Sequence, residues 1–343
     1  MKVYTIRDVA RIAGVSVTTV SRVLNHRPDV NPKTRHRIEK VIEECQFVGN
    51  TNARGLKQSQ EVIAMVIRGR SNPFLNDLAE GIQQLMDQLP DPLITEIIDE
   101  QADEFMTAQR IAHQHHLKGL LFVGSLIDDR VQALQGLDIP VVFTTVHAAN
   151  AALPRASSVA INDRALGRRV AEELLALGHR RIAVFGSNPV AGDSLAMRFQ
   201  GFCEACEEQG FPFLRDDYRE CRFSFESGYE AAKAYFSPRP AATALFAMSD
   251  SIAVGAIRAL TDLGLRVPED VSVVGFDGTS LSRFSIPRLT TVEQPVEEIA
   301  RASVRLLREM MEQDAPSTHV VVDAVFRLRE SVARNGKESE THA

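Results

Sequence analysis

The stretch GVSVTTVSRVLN, residues 14–25, sets small hydroxyl side chains between valines in a pattern that a merely solvated helix does not need. Val15, Val20 and Val23 recur near helical spacing and turn inward, while Ser16 is suited to cap the helix that follows. Val17, Thr18, Ser21 and Arg22 are left on an outer face where Lys and Glu would be usual. Just upstream, Thr5-Ile6-Arg7-Asp8 has the form of a capping box, and Val9, Ile12 and Ala13 give a short first helix its core face. Gly14 can take the positive φ that ends this helix and turns the chain sharply. Asn31-Pro32 starts a third helix, an N-cap followed by proline, with Ile38, Val41, Ile42 and Cys45 toward the core. Two short helices joined through such a turn make a helix-turn-helix.

In that motif the second helix lies in the major groove with its N-terminal residues at base edges. Val17 and Thr18 are placed to touch base edges and thymine methyls, and Arg22 to reach a guanine with two hydrogen bonds. Thr19 and Ser21 suit phosphate oxygens, which position the helix without specifying sequence. Thr5, Ser16 and Asn25 complete the expected DNA-facing set of the head. Charge supports this. Residues 1–60 hold eleven Lys and Arg against five acids, so the head carries +6 and the remainder −12 of a total of −6. A basic head on an acidic body suits a chain that meets a polyanion at one end. A helical hairpin buried in an unrelated core, the alternative, would not need outward hydroxyls.

From Glu61 onward short apolar runs alternate with helical stretches. The runs are VIAMVI (62–67), LITEII (93–98), GLLFVG (119–124) and PVVFTT (140–145), then RIAVFG (181–186), TALFAM (243–248) and VSVVGF (271–276). Such alternation implies α/β architecture, two doubly wound parallel sheets in two lobes dividing near Ile161-Asn162. Ligands of open parallel sheets bind beyond the carboxyl ends of the strands, so the loops after the strands should line one cleft. Those loops offer Asn72, Ser125, Arg198, Ser249, Asp250 and Asp277 for a hydroxyl-rich ligand, with Phe74 and Phe223 to stack on its apolar face.

TIRDVARIAGVSVTTVSRVLN closely resembles the head of the LacI/GalR family of bacterial transcriptional regulators. NTNARGLKQSQ (50–60) is similar to that family's hinge, and SNPFLNDLAEGI, LGHRRIAVFGS, RFQGF, RVPEDVSVVGFDG and PRLTTVEQP to its effector-binding core of periplasmic-binding-protein type. The resemblance runs from about residue 4 to about residue 330. It implies residues 1–49 as the DNA-binding domain, 50–60 as the hinge, and 61–330 as a two-lobed effector and dimerisation domain. The first lobe would be 61–161 with 291–322, the second 162–290 with 323–330, the chain crossing between them three times, and 331–343 a polar tail. It also implies a hinge helix formed on DNA, in which Leu56 wedges into the minor groove flanked by Ala53 and Arg54 while basic neighbours hold the backbone, with Asn50 and Lys57 in the same DNA-binding set. Gly49 and Gly55 weaken that helix off DNA.

The resemblance further favours Arg198 and Asp277 as the groups that hold sugar or nucleoside hydroxyls. Read from the residues alone, Asp277 also suits a helix cap and Arg198 a surface salt bridge. Where relatives often carry an acidic or neutral pair, this chain has Arg68 and Arg70. If they face the cleft the effector is anionic, a sugar phosphate or sugar acid; otherwise both face solvent.

The implied function is a repressor, not an enzyme, acting as a cytoplasmic homodimer on a near-palindromic operator in double-stranded DNA under the control of a small effector. No cofactor or metal is expected. Cys203 and Cys206 form a C-x-x-C inside a helical pattern, without a second pair for zinc, and His113, His115 and His116 lack an acidic or cysteine partner nearby. No phosphate loop, nucleophile elbow or dinucleotide fingerprint occurs. No apolar run approaches the eighteen or so residues needed to span a bilayer, and no signal segment opens the chain. Two other readings compete: a periplasmic-type sugar-binding protein, which would not need the basic head, and an α/β enzyme, which would need a catalytic motif.

Overall fold

The computed structural model describes residues 6–24, 30–44, 61–149, 151, 153–188 and 193–336. The chain divides into two compact units, Met1–Gln60 and Glu61–Ala343.

In the first unit, α1 (Ile6–Ala13) and α2 (Val17–Leu24) pack together and onto α3 (Pro32–Glu44). Val9, Ala10, Ala13, Val20, Val23, Val30, Ile38 and Val41 form its core, and Val15 and Ile42 pack against it. Ile12, expected inside, is 47% exposed; Ala10 takes the inward position, one residue after Val9. Gly14 has φ +62°, the left-handed turn between the helices. The Asn31 side chain accepts the Lys33 N–H at 2.9 Å, which starts α3. The proposed cap at Thr5 and the core position at Cys45 lie outside the described residues.

The second unit has two parallel sheets. The first lobe orders its strands β11-β5-β4-β3-β1-β2, from β1 (Val62–Arg68), β2 (Leu93–Ile98), β3 (Leu117–Val123), β4 (Val141–Thr144), β5 (Ala156–Ile161) and β11 (His319–Val322). Helices α4 (Pro73–Met86), α5 (Glu104–Gln114) and α11 (Val296–Glu312) cover it. The second orders β12-β10-β9-β8-β6-β7, from β6 (Ile182–Gly186), β7 (Tyr218–Glu220), β8 (Ala244–Ala247), β9 (Ser272–Asp277), β10 (Thr290–Glu293) and β12 (Val325–Arg327). Here the helices are α6 (Asp163–Ala176), α7 (Ser194–Glu208), α8 (Phe225–Phe236), α9 (Asp250–Asp262) and the short α10 (Ser280–Phe284). With both sheet faces covered, β1, β4, β6, β8 and β9 are almost wholly buried, which is why they stand out as apolar runs. Among the described residues the one antiparallel pairing joins the edge strand β12 to β10.

The chain crosses between lobes three times. Two boundaries differ from those expected. The return to the first lobe comes after Glu293 rather than at 291, because Thr290–Glu293 pairs with β9 in the second sheet. Residues 331–335 are not a free tail. The buried Ser331 hydroxyl donates to Val273 O and accepts from Thr290 N, and Asn335 N donates to Leu177 O, so this segment is pinned to the second lobe.

One close approach positions the site. A Cβ at Gly167 would stand 1.9 Å from the Arg198 carbonyl oxygen, and one at Gly201 1.9 Å from that of Arg164. The two glycines let α6 and α7 cross at backbone contact, which brings the first turns of both helices to the cleft side by side.

Candidate functional site

Two surfaces carry the polar groups singled out from sequence. On the first unit, Ser16 caps α2: its hydroxyl accepts the Thr19 N–H at 3.2 Å and shares a 2.8 Å hydrogen bond with the Thr19 hydroxyl. Val17, 41% exposed, stands outward with Thr18 and Arg22 on the same helix. This is the arrangement expected of a helix that meets a groove. Thr19 is half-buried and its hydroxyl is engaged with Ser16, so it is less free for phosphate than its spacing suggested. Thr5, Asn25, Asn50, Ala53, Arg54, Leu56 and Lys57, and the side chain of Ser21, lie outside the described residues.

On the second unit, a cavity of about 540 Å³ lies between the lobes, lined by the loops at the carboxyl ends of the strands. Its fixed point is Arg198, the fifth residue of α7 and 5% exposed. Its Nε and Nη2 donate to Asp163 Oδ1 at 3.1 and 2.7 Å, and Nη1 donates to Met248 O at 2.9 Å. The guanidinium lies 3.3 Å over the Phe276 ring. Arg198 is therefore no surface ion pair. It is buried, hydrogen-bonded through each of its three nitrogens and held in one pose.

Two carboxylates face this arginine's neighbourhood with an oxygen to spare. Asp163 Oδ2 and Asp277 Oδ2 are buried and make no well-formed hydrogen bond, although the Ser194 and Asn72 side chains stand near enough to favour the charged carboxylates. Asp277, 4% exposed, closes β9 with φ +110°, and its Oδ1 accepts Gln294 Nε2 at 2.9 Å. Burial, then the nearby Asp250 carboxylate, pushes its carboxyl well up. Burial likewise raises Asp163, against the pull of Arg198. Asp277 caps no helix, since α10 begins after Thr279. A buried acceptor without a donor is costly, so both positions suit a ligand that brings hydroxyls.

The opposite wall comes from the first lobe. Asn72 caps α4 by accepting the Phe74 N–H at 3.1 Å, and Phe74 is buried beneath the cavity; Phe223, from the second lobe, is half-buried beside it. The Ser125 hydroxyl is buried without a partner. Arg68, at the end of β1, lines the cavity half-buried, with Nε buried and unpartnered. Arg70 is exposed on the same wall and reaches Ile97 O at 3.4 Å. Behind Arg68 the buried Glu104 accepts the Leu126 N–H at 2.9 Å, and burial pushes its carboxyl up to about 7. At the mouth Arg222 of the second lobe bridges to Asp99 (2.7 Å) and Glu100 of the first.

Ser249 and Asp250 do not belong to the site, a correction to the expectation from sequence. Ser249 caps α9 by accepting the Ile252 N–H. Asp250 is buried behind the cavity wall, where Oδ2 accepts the Thr279 N–H and hydroxyl and Oδ1 accepts the Thr291 hydroxyl. A Ser-Asp after a strand signals a helix start as readily as a binding loop, and here the cap wins. Sequence reading missed Asp163, Gln294 and Glu104. Asp163 was legible in principle: it follows β5, whose ASSVAI is too poor in large apolar residues to have been picked out as a strand.

Cys203 is half-buried and Cys206 buried on α7, their thiols pushed up to about 12 and about 11 by burial. Among the described residues no group of His, Cys, Asp and Glu could hold a metal ion, and no helix is long and apolar enough to cross a membrane.

Comparison with known proteins follows the same division. Residues 5–50 match the family described as bacterial regulatory proteins, lacI family, and residues 171–332 match the periplasmic binding protein-like domain. The chain is 35% identical over 298 residues to the HTH-type transcriptional regulator DegA of Bacillus subtilis, covering 86% of this chain and 88% of that one. It is 31% identical over 320 residues to the catabolite control protein A of Priestia megaterium, covering 92% and 95%. Among solved structures, the transcriptional regulator CelR in complex with cellobiose aligns with a TM-score of 0.70 at 27% identity, covering 96% of this chain and 99% of that one. The lac repressor dimer bound to operator and the anti-inducer ONPF aligns with a TM-score of 0.69 at 26% identity, covering 97% and 100%.

Proposed function

The chain belongs to the LacI family of bacterial regulatory proteins and is a DNA-binding transcriptional regulator; from that premise we propose that it is a cytoplasmic repressor whose operator affinity is set by a sugar or sugar derivative held between the two lobes. The observation that carries the effector half is the pair of buried, unpartnered carboxylate oxygens of Asp163 and Asp277 beside the immobilised Arg198. Hydroxyl groups of a sugar donate to those oxygens and relieve both. The ligand is bound without turnover.

For the DNA half, the outward Val17, Thr18 and Arg22 read base edges in each half-site, and Ser16 with the basic balance of the head supports docking on the phosphates. Arg54, Leu56 and Lys57 act at the hinge, beside Asn50 and Ala53. The protein works as a homodimer on a near-palindrome. Phe284 (82% exposed) and Ile286 (93% exposed) on the second lobe supply apolar surface for the partner protomer. Coupling is reciprocal: the factor by which the effector weakens operator binding is the factor by which operator weakens the effector.

The test is selection of random duplexes by the purified protein at near-physiological salt, then release of the selected duplex by candidate sugars followed by fluorescence anisotropy. A palindrome of fixed half-site spacing, released by a sugar that Asp277→Asn no longer senses, is the expected result. Failure to select any sequence, with and without sugars, would overturn the proposal.

A further inference from the structure

Four arginines line the cleft, and three of them are occupied or outside the buried part of the wall. Arg198 commits three of its five N–H groups to Asp163 and the Met248 carbonyl and its charge to Asp163, Arg222 is tied to Asp99 and Glu100, and Arg70 is exposed with a long hydrogen bond to Ile97 O. Arg68 differs. It is half-buried, it faces the same cavity, and no described residue gives it a hydrogen bond or salt bridge. Its neighbour Glu104 spends one oxygen on the Leu126 N–H and leaves the other unpartnered, without closing an ion pair. The adjacent Ser125 hydroxyl is also buried and idle. The Glu104 and Asp128 carboxylates feel its charge but make no hydrogen bond to it, and a partly desolvated cation without a direct partner is costly, so a ligand carboxylate that bonds to it recovers that cost.

The two walls therefore ask for different chemistry: a cation and a hydroxyl on the first lobe, spare carboxylate oxygens on the second. Resting on the reading of this cleft as the effector site, we propose that the effector is a sugar acid, an aldonate or uronate. Its carboxylate is held by Arg68 and Ser125, and its hydroxyls by Asp163 and Asp277. A carboxylate fits better than a phosphate. A phosphate dianion is usually cradled by the free N–H groups of a helix N-terminus. At α4, the helix that opens beside Arg68, the first residue is Pro73, which has no N–H, and the Phe74 N–H is already taken by Asn72. A second negative charge would also stand close to Glu104.

The experiment is titration calorimetry of the full-length protein with pairs of ligands that differ in the carboxylate: glucuronate with glucose, galacturonate with galactose, gluconate with glucitol, and glucose 6-phosphate beside them. At least one acid should bind roughly tenfold or more tightly than its neutral counterpart and than the phosphate. Arg68→Met should reduce that preference to about threefold or less, while Arg68→Lys keeps part of it. Unchanged thermal unfolding and operator binding would show that Arg68→Met is folded. A neutral sugar bound as tightly as its acid, a preference for the phosphate, or a preference that survives Arg68→Met would each overturn the sugar acid while leaving the cleft as effector site. No binding by any ligand, with operator binding intact and released by none, would overturn both.

Discussion

The two walls of the cleft are built to different specifications. On the second lobe, Arg198 is buried, hydrogen-bonded on three nitrogens and stacked on Phe276, so its carboxylate partner Asp163 presents one free oxygen in a fixed direction. On the first lobe, Arg68 and Glu104 stand near each other without joining, and Ser125 waits with them. One wall is pre-organised at the cost of committing its charges to each other. The other holds its charges in reserve for whatever enters. Pre-organisation favours orientation of a neutral ligand, and reserve charge favours discrimination by charge.

The largest effect should come from breaking the finished wall. Arg198→Met leaves Asp163 buried without its cation, which costs roughly 3–5 kcal/mol of stability by denaturant unfolding and abolishes the sugar response. A variant as stable as the wild type would show that the wall does not depend on the pair. Next is Glu104 on the reserve wall. Its folded pKa is raised from 4.5 to about 7, so the native state holds its proton over that window and stability falls as pH rises through it. Glu104→Gln keeps an acceptor for the Leu126 N–H and should remove that fall, up to roughly 3 kcal/mol between pH 4 and pH 8. Equal pH slopes in the two proteins would count against it.

The head gives a comparison of its own. Exchanging Val17 or Thr18 should alter base preference in selected operators by about 1–3 kcal/mol at the contacted position. Lys33→Ala should at most weaken binding evenly across sequences and lessen the salt dependence. The smallest effect should follow from Arg222→Ala, which removes an exposed bridge across the mouth. Effector affinity should change by about threefold or less, because exposed ion pairs contribute little. A much larger loss in calorimetry would make the mouth part of the binding wall.

Much of this was legible in the chain. Gly14, the Ser16 cap and the inward valines specify the two helices of the head locally, and the fully buried strands declare themselves as apolar runs. Strand β5 escaped because its serines face a packed interior that supplies their partners: the Ser158 hydroxyl serves His319 and the Ala148 N–H, and that of Ser157 the Thr318 N–H. With β5 missed, Asp163 was missed. Ser249 and Asp250 were misplaced for the complementary reason, since nothing local tells a capping serine and a buried brace from a binding loop.

The sequence by itself determined the helix-turn-helix, the two-lobed parallel-sheet body and the loops that supply the cleft, because caps, turns and apolar periodicity act over a few residues. The tertiary structure alone decided which polar groups were spent and which were left over. Asp163 and Arg198 are 35 residues apart and meet only because Gly167 and Gly201 let two helices touch. Arg68 and Glu104 are brought beside each other by the fold, yet Glu104 accepts only the Leu126 N–H and leaves its second oxygen, like Arg68 Nε, unpartnered. Whether a charge is satisfied depends on the three-dimensional neighbourhood, and no stretch of the chain contains it.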